Sequence, residues 1–243
     1  MAHSRARFRF HYRRPEFFGA THLARRKMQG SNPADGTTPV PAMLEELRGL
    51  ARAAERLWRD LKLGPCAFVP GHVGHSKRVM VFSLTMARSL RLSEERCQRI
   101  CRAAYLHDVG KTAISSSILR KSGALTRQER AAMQVHPIIS RELLGAFLCT
   151  EDLAGIVLSH HERYDGQGYP EGLHGADIPL EARILSIADS LDAMLSRHPH
   201  ANGRSLSLAW DEITREAGRQ FDPCVVESLD RDRDAQSLPR LFM

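Results

Sequence analysis

Apolar residues recur along this chain at intervals of three and four, and nowhere do they alternate with polar ones over the length of a strand. Leu44, Leu47, Leu50, Ala51, Ala54 and Leu57 form one such stripe, and Val79, Phe82, Met86, Ala87 and Leu90 a second. Ile100, Ala103, Ala104 and Leu106 follow, then Ile138, Ile139, Leu143 and Leu144, then Leu153, Ile156, Val157 and Leu158. Ile184, Leu185, Ala188, Leu191, Met194 and Leu195 make the last long stripe. This period buries one face of a helix and cannot serve a strand. Start signals agree with it. Ser93 precedes Glu94 and Glu95, Thr126 and Glu129 make a capping box, and Pro41, Pro137 and Pro179 fit first helical positions. The expected fold class is all-α, a single bundle of roughly seven or more helices. Helices are expected to end at Gly64-Pro65, at His107-Asp108 and at His161, with later ones near 208–217 and a short one after Asp222-Pro223.

Helical phasing also orders the unusual polar residues. His75 stands four before Val79, and His107 and Asp108 stand three and four after Ala104. His136 is three after Met133, His160 four after Ile156, His161 four after Val157 and Asp189 four after Leu185. Residues three and four apart share a helical face, so each of these side chains is expected to point inward. Burying so many of them without partners costs several kcal/mol per group, by order of magnitude. A metal centre converts that cost into coordination. Imidazole and carboxylate without thiolate suit iron, manganese, cobalt or zinc rather than a structural zinc site. His75, His107, Asp108, His136, His160, His161 and Asp189 are more donors than one ion with an open position needs. Two divalent ions sharing a carboxylate would use them and could clamp both oxygens of a phosphoryl displacement. Lys111, three after Asp108, is either a surface lysine at a helix end or a phosphate contact beside that centre, and the neighbours favour the second.

Charge and cysteine content bound the rest. The net charge of +7 comes from the first thirty residues, which hold eight Arg or Lys and one acid, and the remainder is neutral. Residues 1–40 are therefore expected to be a basic, disordered tail ending in a Gly- and Pro-containing linker. A solvated tail is the expectation, and contact of the tail with nucleic acid or membrane is not. No apolar run approaches the roughly 18–20 residues that span a bilayer, and no signal-peptide core is evident. Cys66, Cys97, Cys101, Cys149 and Cys224 form no CxxC pair, which points to a reducing compartment and a cytoplasmic protein. Cys97 and Cys101 are read as small core residues.

His107-Asp108 followed by Val109-Gly110-Lys111 resembles the doublet of the HD phosphohydrolase superfamily. With His160-His161-Glu162, Asp165-Gly166, Gly168-Tyr169-Pro170, Ile178-Pro179, Ala182-Arg183-Ile184 and Gln220-Phe221-Asp222-Pro223, the chain resembles the HD-GYP family over about 70–228. An isolated HD is weak, whereas HD with HHE and DGxGYP in this order is specific. The resemblance implies an HD-type domain over residues 41–230 with a tail at 231–243. It further implies a metal-dependent phosphodiesterase that opens cyclic di-GMP, a bacterial second messenger, to the linear dinucleotide, either stopping there or going on to GMP. It places the metal ligands on the seven residues already named, with Asp108 bridging, and puts Lys111 on a phosphate oxygen. Iron or manganese is the implied pair. Gly168, Tyr169 and Pro170 are either a turn forming the pocket wall or substrate contacts, and the family also implies that this loop meets diguanylate cyclase domains. Asp192 is expected behind the ligands rather than among them.

The sequence departs from the family pattern in three places, one of them an expected loop at Ser115-Ser116-Ser117, where a proline is usual. A glutamate that some members use for a third metal is Gly71 here, so two ions are expected. Where the family carries Arg-Pro-Tyr-Lys or Arg-Pro-Tyr-Arg toward the substrate, this chain has His198-Pro199-His200-Ala201. His198 is then the candidate substrate contact of that segment. The alternative functions are a metal-containing but catalytically weak module that binds dinucleotide or a signalling partner, and a phosphohydrolase of another nucleotide.

Overall fold

Ser93 accepts a hydrogen bond from the Arg96 amide and, with Glu94 and Glu95 behind it, starts a helix that buries Cys97, Ile100, Cys101, Ala103, Ala104 and Leu106. That helix is α2 (Glu94–Leu106) in a computed structural model that describes residues 72–145, 151–196 and 203–233. It follows α1 (His72–Ser89) through a turn in which Arg91 takes a left-handed conformation and the Leu92 amide returns to Ala87 O. After a 3₁₀ turn over Val109–Ala113 come α3 (Ser116–Leu119), α4 (Arg127–Met133), α5 (His136–Leu143) and α6 (Glu151–Leu158). A long connection with a second 3₁₀ turn at Gly175–Asp177 leads to α7 (Leu180–Leu195), α8 (Leu206–Arg215) and α9 (Pro223–Arg233). Among the described residues, β pairing is limited to single bridges at Asp165–His174 and Ala217–Phe221, so the all-α expectation stands.

The core lies where α1, α2 and α7 meet. Val79, Phe82, Met86 and Ala87 of α1 face Ile100, Cys101 and Ala104 of α2, and Ile184, Leu185, Ile187, Ala188 and Leu191 of α7 complete the layer. α6 adds Leu153, Ile156 and Val157, and α8 and α9 add Ala209, Trp210, Ile213, Val225, Val226 and Leu229. The expected core role of Cys97 and Cys101 holds: both are buried, and burial pushes the Cys101 thiol up to about 12. Among the described residues no helix is long and apolar enough to cross a membrane.

Polar ties fix the helices around this core. Glu181, in the first turn of α7, is buried and accepts from Arg96 Nε at 2.8 Å and Arg99 Nη2 at 2.7 Å, both from α2. Asp222 caps α9 by accepting the Cys224 amide at 2.8 Å and also takes the guanidinium of Arg183 on α7. The helix expected through Leu44–Leu57, the basic N-terminal segment, the 231–243 tail beyond Arg233, and His198 to Ala201 lie outside the described residues. Several boundaries differ from expectation. The Ser115–Ser117 stretch begins α3 rather than a loop, and α9 is a full helix of 11 residues rather than a short one. α2 stops at Leu106 and α6 at Leu158, before the histidines that were expected to close them.

Candidate metal centre

Three of the histidines sit just past a helix end, and each ends its helix in the same way. His107 Nδ1 lies 2.7 Å from Ala104 O, His136 Nδ1 2.8 Å from Met133 O, and His160 Nδ1 2.6 Å from Val157 O. The carbonyls in the last turn of a helix have no partner within it, and a carbonyl can only accept. Each Nδ1 therefore carries the proton, satisfies one orphan carbonyl and leaves Nε2 with a lone pair directed inward. Helix termination and choice of tautomer are one hydrogen bond. The inward placement expected from spacings of three and four holds, although for these three it arises from a cap on the i−3 carbonyl rather than from a continuing helix. The exception to this pattern among the four pinned histidines is His75 in α1, whose Nδ1 lies 2.7 Å from Asp192 Oδ2 on α7.

The ring nitrogens and carboxylates converge. Asp108, at the bend between α2 and the 3₁₀ turn, presents Oδ2 to His107 Nε2 at 3.3 Å and to His75 Nε2 at 3.7 Å. Its other oxygen, Oδ1, lies 3.3 Å from His136 Nε2. Asp189 Oδ1 on α7 is 3.2 Å from His75 Nε2 and 3.8 Å from His107 Nε2. His136 and His160 bring their Nε2 atoms to 3.4 Å, and the rings of His160 and His161 are 4.0 Å apart. Three trios offer donor atoms within 4.8 Å of one another: His75 with His107 and Asp189, His136 with His160 and His161, and His107 with Asp108 and His160. His107 Nε2 is buried and makes no hydrogen bond among the described residues. A buried imidazole nitrogen amid carboxylates, whose charge draws a cation to that spot, is what a divalent ion would satisfy, so these residues fit such a group.

Electrostatics divide the cluster. Burial, with His161, His107 and His136 around it, holds His160 well below the ordinary imidazole range, and burial takes His161 down to about 3. Both are neutral donors at neutral pH. Burial also opposes the charge on His75, but Asp189, Asp192 and Asp108 outweigh it and push that imidazole up to about 9. Burial would raise the carboxyl of Asp108, yet His107, Lys111 and His136 hold it far below the carboxylate range. Lys111 Nζ donates to Asp108 Oδ2 at 2.6 Å, which places its charge at the edge of the centre.

The glycine-rich loop forms the wall over this cluster. Tyr169 stacks on His161 with ring centroids 4.9 Å apart, and its amide donates to His161 O at 3.2 Å. The Tyr169–Pro170 peptide bond is cis. Gly168 passes so close to the preceding backbone that a Cβ would lie 2.3 Å from the Arg163 nitrogen, so its place in the motif is explained by packing. Glu162, the third letter of HHE, is buried and turned away from the histidines. Its carboxylate accepts the amides of Glu171 at 2.7 Å, Gly172 at 3.1 Å and Leu173 at 3.2 Å, and so ties down the far side of the loop. Asp165 accepts from Arg163 and the Gln167 amide, and the Tyr164 and Asp165 amides donate to Gln220 O and Arg219 O between α8 and α9. Ser140, Arg78 and Glu162 have roles that were not expected from the sequence. Glu162 carried a signal through its motif, while Ser140 and Arg78 carried none, because their partners come from distant segments.

Comparison with known proteins agrees with this geometry. The family model described as an HD domain matches residues 68–225. The chain is 44% identical over 193 residues to the cyclic di-GMP phosphodiesterase response regulator RpfG of Xanthomonas campestris pv. campestris, covering 78% of this chain and 48% of that protein. It is 37% identical over 160 residues to the 3'3'-cGAMP-specific phosphodiesterase 2 of Vibrio cholerae, covering 64% of this chain and 30% of that protein. Among solved structures, Bd1817, an HDG"Y"P protein from Bdellovibrio bacteriovorus, superposes with a TM-score of 0.57 at 17% identity, over 80% of this chain and 62% of that one. That last likeness speaks to the fold alone. The chain belongs to the HD-domain family, in its HD-GYP branch. It spans less than half the length of either curated relative.

Proposed function

We propose that this chain is a metal-dependent phosphodiesterase that hydrolyses cyclic di-GMP to the linear dinucleotide. The observation that carries the reading is Asp108, whose two oxygens face different histidines, Oδ2 toward His75 and His107 and Oδ1 toward His136. This arrangement supports a centre of two divalent ions, for which the family resemblance implies iron or manganese. His75, His107 and Asp189 would hold one, His136, His160 and His161 the other, and Asp108 would stand between. Relatives named cyclic di-GMP phosphodiesterases and 3'3'-cGAMP-specific phosphodiesterases support a cyclic dinucleotide as the substrate class. When bound, such ions lower the pKa of water and stabilise charge on entering and leaving phosphate oxygens.

The chain's own residues do the rest. The depressed imidazoles of His160 and His161 stay unprotonated and available. Lys111 keeps its proton, since Asp108 outweighs the effect of burial, and offers a charged donor to a phosphate oxygen beside the centre. Tyr169, stacked on His161, would cover that imidazole beside the centre and meet a substrate entering there. A contact of the Gly168–Pro170 loop with diguanylate cyclase domains rests on the family resemblance alone.

The test is turnover of cyclic di-GMP by protein purified without oxygen, with bound iron and manganese measured in the same sample. Hydrolysis with metal bound, abolished in His107→Ala and Asp108→Ala, is the expected result. Full metal content with no hydrolysis would overturn it and leave a binding module. 3'3'-cGAMP is the second substrate to assay, because one relative is named for it and because His198 and Ala201 replace basic residues of the family pattern. Faster turnover of 3'3'-cGAMP than of cyclic di-GMP would overturn the choice of substrate while keeping the reaction.

A further inference from the structure

We propose that Asp192 is a positioning residue for one half of the centre, orienting His75 for the ion held with His107 and Asp189 and leaving the other ion alone. The inference rests on the two-ion reading above. His107, His136 and His160 take their tautomer from a carbonyl three residues back in their own segment. His75 lies in the first turn of α1 and takes its tautomer from another helix. Asp192 is 1% exposed, and its Oδ2 lies 2.7 Å from His75 Nδ1. A carboxylate is an acceptor only, so Asp192 keeps a proton on Nδ1, and Nε2, 3.2 Å from Asp189 Oδ1, is the nitrogen left to exchange its proton for an ion. Asp192 meets Nδ1, on the opposite side of the imidazole from Nε2, so it does not share an ion with Nε2.

Asp192 is itself held. Arg78 Nε donates to Oδ1 at 2.5 Å and Arg78 Nη2 to Oδ2 at 3.0 Å, and the Ser196 hydroxyl adds a contact to Oδ2 at 3.3 Å. Arg78 Nη2 also reaches Ser196 Oγ at 3.0 Å. The geometry is two interlocked pairs spaced three apart. His75 and Arg78 lie on α1, Asp189 and Asp192 on α7, and each helix gives one side chain to the centre and one to the clamp behind it. One trio thus depends on a contact between distant helices. In the other trio, His136 and His160 are set by bonds within their own segments. The two halves of the centre should fail separately.

The experiment uses the full chain, stripped of metal by chelator and titrated with manganese(II) by calorimetry without oxygen, with helix content followed by far-UV circular dichroism. Asp192→Asn keeps the shape but replaces one acceptor oxygen with a donor that must oppose either Arg78 or His75 Nδ1. Wild type is expected to take up two ions. Asp192→Asn is expected to bind one as wild type does and the second about 10–100-fold more weakly. Arg78→Gln, which leaves Asp192 in place without its fork, is expected to weaken the same event by a smaller factor, and it carries the test if Asp192→Asn loses its helical signal. Two wild-type affinities in the folded variants would overturn the inference, as would equal weakening of both events. A wild-type chain that takes up a single ion overturns the two-ion reading before any variant is measured. Two ions in wild type with no asymmetry in the variants overturns this inference alone.

Discussion

Gly110 packs against the start of α5 so closely that a Cβ would lie 2.2 Å from His136 O and 2.6 Å from the Ser140 nitrogen. Ser140 Oγ donates to His107 O at 2.8 Å and accepts from the Gly110 amide at 2.8 Å, so one hydroxyl stitches α5 to both sides of the His107-Asp108 doublet. Both obstructing atoms at His136 and Ser140 are backbone and cannot swing aside. Gly110→Ala is expected to lower unfolding stability by about 1–3 kcal/mol. The measurement is the urea midpoint, with the slope of the transition unchanged. A midpoint equal to wild type would show that α5 gives way freely and that this close approach does not fix the doublet. In the sequence Gly110 is one letter of a motif, and its reason is visible only once His136 is beside it.

Among the elements, α2 and α7 are tied by the buried Glu181 and the pair Arg96 and Arg99. Burial alone would raise the Glu181 carboxyl, but the hydrogen bonds from Arg96 and Arg99 win and take it down to about 2. A carboxylate depressed in the folded state contributes fully above its ordinary pKa, near 4.5, and that contribution is lost as pH falls toward about 2. Glu181→Gln is therefore expected to cost about 1–3 kcal/mol at pH 7, the range for a hydrogen-bonded charge. The cost should be smaller at pH 3. Denaturant unfolding of both proteins at the two pH values checks this, and an equal gap at both would mean that Glu181 acts by packing rather than by charge. The same scale explains where the helices stop. α2, α4 and α6 each give a terminal carbonyl to a histidine Nδ1, so the elements end where the centre begins.

For the whole molecule, ions that bind only the folded chain add stability by mass action, about 2.7 kcal/mol at a concentration one hundred times Kd. For a chain of this size roughly 2–4 °C of Tm accompanies each kcal/mol. Stripping the proposed ions with a chelator is then expected to lower Tm by about 5–10 °C, and manganese(II) should restore it. Calorimetry on stripped and reloaded protein decides the matter. A Tm that ignores complete removal of metal would mean the centre is held by the protein alone. The donor residues come from α1, the α2 terminus, α5, the α6 terminus and α7, so loosening the centre is felt in most of the described bundle.

The sequence by itself determined the all-α class and, through spacing and motif, the seven side chains that meet: His75, His107, Asp108, His136, His160, His161 and Asp189. It could do so because helical periodicity and i−3 capping are local, and local rules are written in consecutive residues. Other features needed the tertiary structure. The clamp of Arg78 and Asp192 behind His75, the stitch of Ser140 at His107 and Gly110, and the Glu162 carboxylate under the loop amides each join segments whose meeting depends on how the helices pack. Whether Asp108 faces one set of donors or two was also decided there. The two oxygens of a carboxylate differ only in what stands beside each, and for Asp108 those neighbours come from different helices.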